Sequence, residues 1–481
     1  MSAEKRTEYL WSQILLHLNL FFDRQTIATV DRSRILFGPY AAVTLERRPV
    51  IAIPNDIPYN MAAKDAYAAP FGETHLTLWN RLEIPPGDGW RALPDNAAPV
   101  WYVHASGTHL PAWNLFGNLF ALLTSQEERE FATRDKHGRF AGGRSPRAER
   151  GLMEVPAFNE AVAALAAACV GLSHEGQAEL SVRGLVKPPV VVLSHDCDIL
   201  RGNDRWTQAI RFARIFLPLA HLRPPRIANL WWIARNYIRP DDFYFDNVLG
   251  MVNLERQFGF TSTFYLLNGT PGRYGARSGS WLLPKLIAAI PPGWSRGIHY
   301  NYDTFLDTIR FVQQMQELTD LLGGRPRFGR AHYLRFDMER SPEFLAAQGI
   351  KCDESAGFSD RIAYRCGIAG CFQPYDPATE SAVNILELPM MIMEDALKLQ
   401  YGDGAAAVFE QMLRHLGQIG GALTLNVHPG VFHNPEIPRM LGFYHRLLCL
   451  CRDLGVRGMA ADDLIGTIPP EHRVRELIPV D

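Results

Sequence analysis

Asp196 and Asp198 stand two residues apart at the end of an apolar run, in the sequence Ser194-His195-Asp196-Cys197-Asp198. If the chain turns there, the two carboxylates can share a site: one binds a divalent cation while the other takes a proton from water. The same residues also suit a plain loop start, with aspartates accepting backbone N–H bonds and His195 an incidental neighbour. A second element is Gly297-Ile298-His299, with Asp303 four positions on. A neutral imidazole at a strand end is a good zinc ligand, and Asp303 either returns a carboxylate to the same ion or caps a helix beginning there. A third is Arg330-Ala331-His332-Tyr333-Leu334-Arg335-Phe336, where strand alternation puts Arg330, His332 and Leu334 on one face. Arg330 could hold a carboxylate base in position and His332 could complete a metal's coordination; an exposed basic strand end is the plain alternative. The fourth is Leu423-Thr424-Leu425-Asn426-Val427-His428-Pro429-Gly430, an apolar strand delivering His428 at a sharp turn. His428 there is either a structural histidine or a general acid for a leaving amine, with His433 a weaker candidate.

Residues so far apart in sequence can meet only if a regular scaffold brings strand ends together. Val190-Val191-Val192-Leu193 reads as a strand buried on both faces. Further strands are expected at 261–267, 297–299, 332–336, 385–388, 422–427 and 456–459. Helical patterns lie between them. One starts near Asp303 with Phe305, Ile309, Val312 and Leu322 as its apolar positions, and another spans about 405–416 with Val408, Met412 and Leu416 aligned. Alternating strands and helices imply a parallel sheet, and their number suggests a distorted (β/α) barrel of about seven strands, whose chemistry sits at the C-terminal strand ends. The expected α/β organisation is a smaller α+β N-terminal domain over 1–184 and the barrel over 185–481. Within the first part, 132–156 is polar and glycine-rich and reads as a surface loop, followed by an alanine-rich helix over about 158–170.

Composition narrows the partners. A chain of 481 residues with 49 Lys+Arg against 51 Asp+Glu has a formal charge of -2, which argues against nucleic acid or an anionic membrane as the main partner. Leu10, Trp11, Ile14, Leu15, Leu18, Phe21 and Phe22 form the stripe of an amphipathic helix, with neither a secretory pattern nor a membrane span; cytoplasmic location is the expectation. Seven cysteines, an odd number without zinc-ribbon spacing, fit a reducing compartment, and Cys366 and Cys371 read as small buried residues.

In their order, these elements resemble the polysaccharide deacetylase superfamily (carbohydrate esterase family four and relatives). They are most similar to a bacterial subgroup with Thr/Ser-His-Asp-x-Asp, Gly-Leu-His-x-Ser-Tyr and Arg-x-His-Tyr-Leu-Arg-Phe motifs, matched here by Ser194 to Asp198, Gly297 to Asp303 and Arg330 to Phe336. Glu255 to Leu267 resembles the strand before the histidine motif. Asn118-Leu119 through Gly138-Arg139-Phe140 is similar to the subgroup's N-terminal region, to which no chemistry is assigned. The resemblance implies Asp196 as base, Asp198 and His299 as ligands of a divalent metal, zinc by expectation, and His428 as leaving-group acid. Asp303 stands where the family's motif has its second histidine, so either Asp303 or His332 would be the third ligand. Arg330 or Arg365 would orient Asp196, Arg365 lying in a segment, Tyr364-Arg365-Cys366-Gly367, that resembles the subgroup's substrate side. The implied activity is removal of an N-acetyl group from an amino sugar in an oligosaccharide or carrier-linked glycan, in surface-polysaccharide biosynthesis. Two other readings stay open: a catalytically silent barrel that binds glycan, and an amidohydrolase acting on a non-sugar amide.

Overall fold

The computed structural model describes residues 3–57, 66–71, 74–82, 89–94, 98–131, 133–173, 184–198, 205–221, 224–225, 227, 230–231, 233–234, 238, 240–276, 282–431 and 440–472. Val190–Cys197 is buried along its whole length, as an apolar strand covered on both faces must be. On one edge it pairs in parallel with Ala422–Asn426. Its other edge is divided: Arg457–Met459 pairs with Val190 to Val192, and Thr263–Leu267 with Ser194 to Cys197. From Thr263–Leu267 the sheet steps through Ser295–Tyr300, Phe328–Ala331, Cys352–Asp353 and Leu386–Glu387, every pairing parallel. At the far edge Ile392–Met393 joins Ala422–Asn426. Neighbours in sequence are thus neighbours in space, and the sheet curls without a ladder between Leu386–Glu387 and Ile392–Met393. This is the distorted (β/α) barrel, with two strands, Cys352–Asp353 and Ile392–Met393, whose two residues each are too few to leave a periodic trace in the sequence.

Three expectations are corrected. Residues 332–336 are not a strand: the chain leaves the sheet at Ala331, and His332–Leu334 is a 3-10 turn with Tyr333 and Leu334 at φ 61° and 50°. Left-handed backbone reverses the chain and ends the alternation, so the two-faced reading of Arg330, His332 and Leu334 does not apply. The helix expected near Asp303 is Thr308–Leu322, capped by Asp307, and it buries Phe311, Gln314, Met315 and Leu318. Ile309 and Val312 are exposed, because the packed stripe runs at helical spacing through Phe311, Met315 and Leu318 and leaves them on other faces. Residues 133–156 lie only partly at the surface: Thr133, Lys136, Gly143 and Gly151 are exposed, but His137, Phe140, Ser145 and Arg147 are buried, with Arg147 neutralising the buried Glu127.

Before the barrel, helix Ala3–Phe21 precedes a five-stranded mixed sheet in the order Ile35–Gly38, Ile51–Pro54, His109–Pro111, Trp101–His104, Trp90–Leu93. Helices Leu115–Leu123 and Ala157–Ser173 follow. One hydrophobic cluster runs from Tyr9 and Phe158 through Val191 and Leu423 to Ile468. Asn159, on the second of these helices, donates to the carbonyls of Ala369 and Gly420 at 2.9 and 2.8 Å. All seven cysteines are free, and Cys366 and Cys371 are buried as expected. No helix among the described residues is long and apolar enough to cross a membrane.

Candidate metal centre and active site

The strand ends converge on a cavity of about 540 Å³ lined by Asp196, Asp198, His299, His332, Glu394 and His428 among others. Asp198, His299 and His332 place one ligand atom each within 4.8 Å of one another. His299 is on a central strand, and its Nδ1 lies 2.9 Å from the carbonyl oxygen of Arg330. A carbonyl only accepts, so Nδ1 carries the proton and donates, leaving the Nε2 lone pair directed at Asp198 Oδ1, 3.0 Å away. That contact lacks hydrogen-bond geometry: Asp198 Oδ1 is buried without a hydrogen-bond partner among the described residues. His332 Nε2 lies 3.6 Å from Asp198 Oδ2. A lone pair facing a buried carboxylate needs positive charge between them, either a proton or a metal ion. The donor set of two imidazoles and one carboxylate is one that zinc and similar divalent ions take. The residues present therefore fit a metal.

Asp196 is held differently. Arg330 Nη1 donates to its Oδ1 at 2.8 Å, and Asn426 Nδ2 donates to its Oδ2 at 2.9 Å. Burial would raise the Asp196 pKa, but the Arg330 guanidinium, with His299 and His428, keeps it below the ordinary aspartate value. Arg330 is itself fully buried, donating also to Ser194 Oγ at 2.7 Å and Glu354 Oε2 at 2.6 Å, with its guanidinium 4.6 Å over the Tyr265 ring. Glu354 accepts in turn from the Tyr265 hydroxyl.

His428 Nε2 lies 3.7 Å from Asp196 Oδ2 and 3.8 Å from Asp198 Oδ2. On its other side Nδ1 meets Glu394 Oε1 at 2.9 Å, and the His428 backbone N–H donates to the same oxygen at 3.2 Å. Burial would lower the His428 pKa; the Glu394 carboxylate, aided by Asp198 and Asp196, overrides it and holds the imidazole well above its ordinary range. His195 does not face the cavity. It bridges Val427 O and Glu255 Oε1 at 2.8 and 2.7 Å, and the Tyr444 hydroxyl donates to Glu255. It ties strand Val190–Cys197 to the loop after Ala422–Asn426 and is not an incidental neighbour.

Two candidates stand apart from this group. Asp303 lies in the turn Tyr302–Thr304, 3.3 Å from Arg310 Nη1, and outside the ligand cluster. Arg365 is buried but reaches Glu128, at 2.7 and 2.8 Å, while Arg330 is the arginine on Asp196. His433 is outside the described residues. Glu394, Glu354 and Asn426 are the residues that sequence reasoning missed. Asn426 carried a signal: it is polar at the end of an apolar strand, and register sets it beside Ser194, two residues before Asp196. Glu354 and Glu394 adjoin two-residue strands that show no period. The 136–139 turn was also without a role; Lys136, His137 and Arg139 line the cavity, and His137 packs among Tyr274, Tyr302 and Tyr333.

No family model matches the sequence, and no curated protein matches it. Solved structures do. A Mycobacterium smegmatis protein provisionally assigned as a polysaccharide deacetylase is 16% identical, with 61% of this chain and 95% of that one covered and a TM-score of 0.38. Puue allantoinase is 13% identical over 58% and 90%, with a TM-score of 0.37. The chitin deacetylase of the fungal pathogen Colletotrichum lindemuthianum is 13% identical over 61% and 94%, with a TM-score of 0.30. Likeness at this level does not carry an activity from any of these proteins to this chain, whose chemistry is argued from its own residues.

Proposed function

We propose that the protein is a metal-dependent hydrolase that removes an N-acetyl group from an amino sugar of a glycan or glycan precursor. The observation that carries this reading is the arrangement at one cavity of three potential ligands, a buried ionised aspartate beside them and a histidine with raised pKa facing both. Asp198, His299 and His332 would hold the ion, zinc by the chemistry of the set; when bound it supplies Lewis-acid polarisation of the amide carbonyl and a lower pKa for water. Asp196, kept ionised by Arg330 and fixed by Asn426, accepts the proton of the attacking water. His428, kept protonated by Glu394, delivers a proton to the departing sugar nitrogen, so acetate and a free amine leave. Asp303 and Arg365 take no part in this scheme. A cytoplasmic site of action fits a soluble or carrier-linked precursor.

The test is metal analysis of the purified chain together with acetate release from N-acetylated amino sugars, chito-oligosaccharides and simple amides. We expect about one zinc, cobalt or nickel per chain, acetate release from a sugar substrate, and loss of that release on chelation with recovery on adding metal back. Absence of stoichiometric metal at full occupancy conditions sinks the mechanism. Turnover of simple amides with none of the sugars would keep the mechanism and replace the substrate.

A further inference from the structure

His332 differs from His299 in what holds its ring. His299 Nδ1 donates to the Arg330 carbonyl, which fixes where its Nε2 points. His332 Nδ1 is buried and has no hydrogen-bond partner among the described residues. Its ring is therefore placed by its own backbone and by packing, with the Tyr333 ring 4.6 Å away and the His299 ring 5.1 Å away between centroids. That backbone is the turn His332–Leu334, in which Tyr333 and Leu334 are left-handed at φ 61° and 50°. Two consecutive non-glycine residues in this region persist only where surrounding contacts over-determine them.

Contacts of that kind arrive from ahead of the barrel. Arg134 and Phe140 bridge as an antiparallel pair and close the turn 135–139. Asp135 Oδ1 accepts from the backbone N–H groups of His137 and Arg139 at 2.8 and 3.0 Å, and its Oδ2 accepts from Arg139 Nε at 2.8 Å. With the guanidinium fixed in this way, Arg139 Nη1 donates to the Tyr333 carbonyl oxygen at 2.5 Å. His137 packs its ring 5.0 Å from that of Tyr333 and sets its Nδ1 3.2 Å from the Tyr302 hydroxyl. We infer that Arg139 is a positioning residue of the metal centre: braced by Asp135, it pins the left-handed turn and so aims the His332 imidazole at the ion. The inference rests on His332 being a ligand, as proposed above. A segment outside the barrel thereby decides whether the third ligand is in place, doing for His332 what the Arg330 carbonyl does for His299.

The experiment measures zinc affinity of the full-length chain by competition with a chromophoric chelator, for the parent, Arg139→Met, His332→Ala and the double variant. Arg139→Met should weaken zinc binding ~10- to 100-fold, the usual worth of a residue that orients a ligand, and alter the visible absorption of the cobalt-loaded protein. Because Arg139 acts through His332, the same substitution in the His332→Ala background should cost less than ~2-fold. Arg139→Lys keeps a donor and should recover part of the loss. Urea unfolding checks that the variants fold. Should Arg139→Met fail to fold, Asp135→Asn, which loosens the guanidinium, takes its place and should weaken zinc binding ~3- to 10-fold. Unchanged zinc affinity in the folded variant, or an equal loss with and without His332, overturns the inference. So does a raised KM with zinc affinity intact, which would make Arg139 a substrate contact. If His332→Ala itself leaves zinc affinity unchanged, the ligand assignment falls and this inference with it. Weakening by His332→Ala alone leaves the ligand assignment standing and overturns only the role of Arg139.

Discussion

Asp196 has both oxygens engaged, one by Arg330 and one by Asn426, and both partners only donate at those contacts. This decides what an isosteric change does. In Asp196→Asn the side-chain NH2 must face either a guanidinium or an amide NH2, so one donor loses its acceptor at a cost of about 1–3 kcal/mol. Activity should fall by ~10²- to 10⁴-fold, the usual worth of a positioned base, while Asp198, His299 and His332 still bind metal. Parallel measurement of acetate release, metal content and urea unfolding checks all three, and full activity in this variant removes Asp196 as the base. Glu394→Gln tests the other half of the site. Losing the carboxylate that overrides burial should let the His428 pKa fall, and the alkaline limb of the pH–rate profile, where the protonated acid is lost, should then shift to lower pH. An unshifted limb would detach Glu394 from the acid role. At this scale Asp196, Asp198, His299 and His428 were legible as polar residues ending apolar strands, whereas His332 was read inside a strand and lies in the turn after one. Their supports were not, because a carboxylate that braces another side chain needs no spacing of its own.

Strands and helices were legible in proportion to their length and regularity. Val190–Cys197 and Ala422–Asn426 are apolar and buried on both faces, and the sequence marks both. The strand ending at Ala331 was read too far along because the residues beyond it are apolar enough to continue, whereas the backbone turns left-handed at Tyr333 and Leu334. Non-glycine residues there cost roughly 1–3 kcal/mol each, and that cost is borne beside a candidate metal ligand, His332. The N-terminal helix shows a different lesson. His17 stands among the apolar residues of that helix, and it is fully buried against Phe21, Phe22 and Phe158, with neither ring nitrogen hydrogen-bonded among the described residues. Burial pushes its pKa down to about 3. The folded pKa thus lies below the ordinary histidine value, so the unfolded chain binds the proton first as pH falls. Stability is complete above about pH 6.5 and drains away as pH drops toward about 3, with about 2 kcal/mol lost between pH 7 and pH 5. His17→Leu should remove that part of the pH dependence and be at least as stable at neutral pH. Urea unfolding of both proteins at the two pH values measures it, and identical slopes with pH would show that His17 is not buried neutral.

For the whole molecule, the question is how residues 1–184 and 185–481 depend on each other. Residues 35–111 carry a mixed sheet and residues 190–459 a curled parallel one, and the sequence led to an expected boundary between them at 184. It did not signal the joint, which is built from charges paired over long separations. Glu127 and Glu128 are adjacent and buried. Glu127 pairs with Arg147, whose guanidinium also donates to the carbonyls of Tyr364 and Arg365, and Glu128 holds Arg365. Arg365 is therefore better explained as the barrel's half of this joint than as a partner of Asp196. Glu128→Ala leaves a buried guanidinium uncompensated and should cost about 3–5 kcal/mol. The double variant Glu128→Leu with Arg365→Met removes both charges at similar volume and should recover most of that loss, since two well-packed apolar side chains can replace a buried pair. Because Arg365 does not touch the cavity residues, the double variant should also keep its activity and metal content. A folded, metal-loaded double variant with activity reduced ~100-fold would return Arg365 to the catalytic machinery. A Glu128→Ala protein as stable as the parent would show that the joint carries no load, and residues 185–481 should then fold without the first part. With the joint intact the opposite holds: the isolated 185–481 fragment exposes the Asn159 and Phe158 contacts of the shared core and should be aggregated or unfolded by circular dichroism.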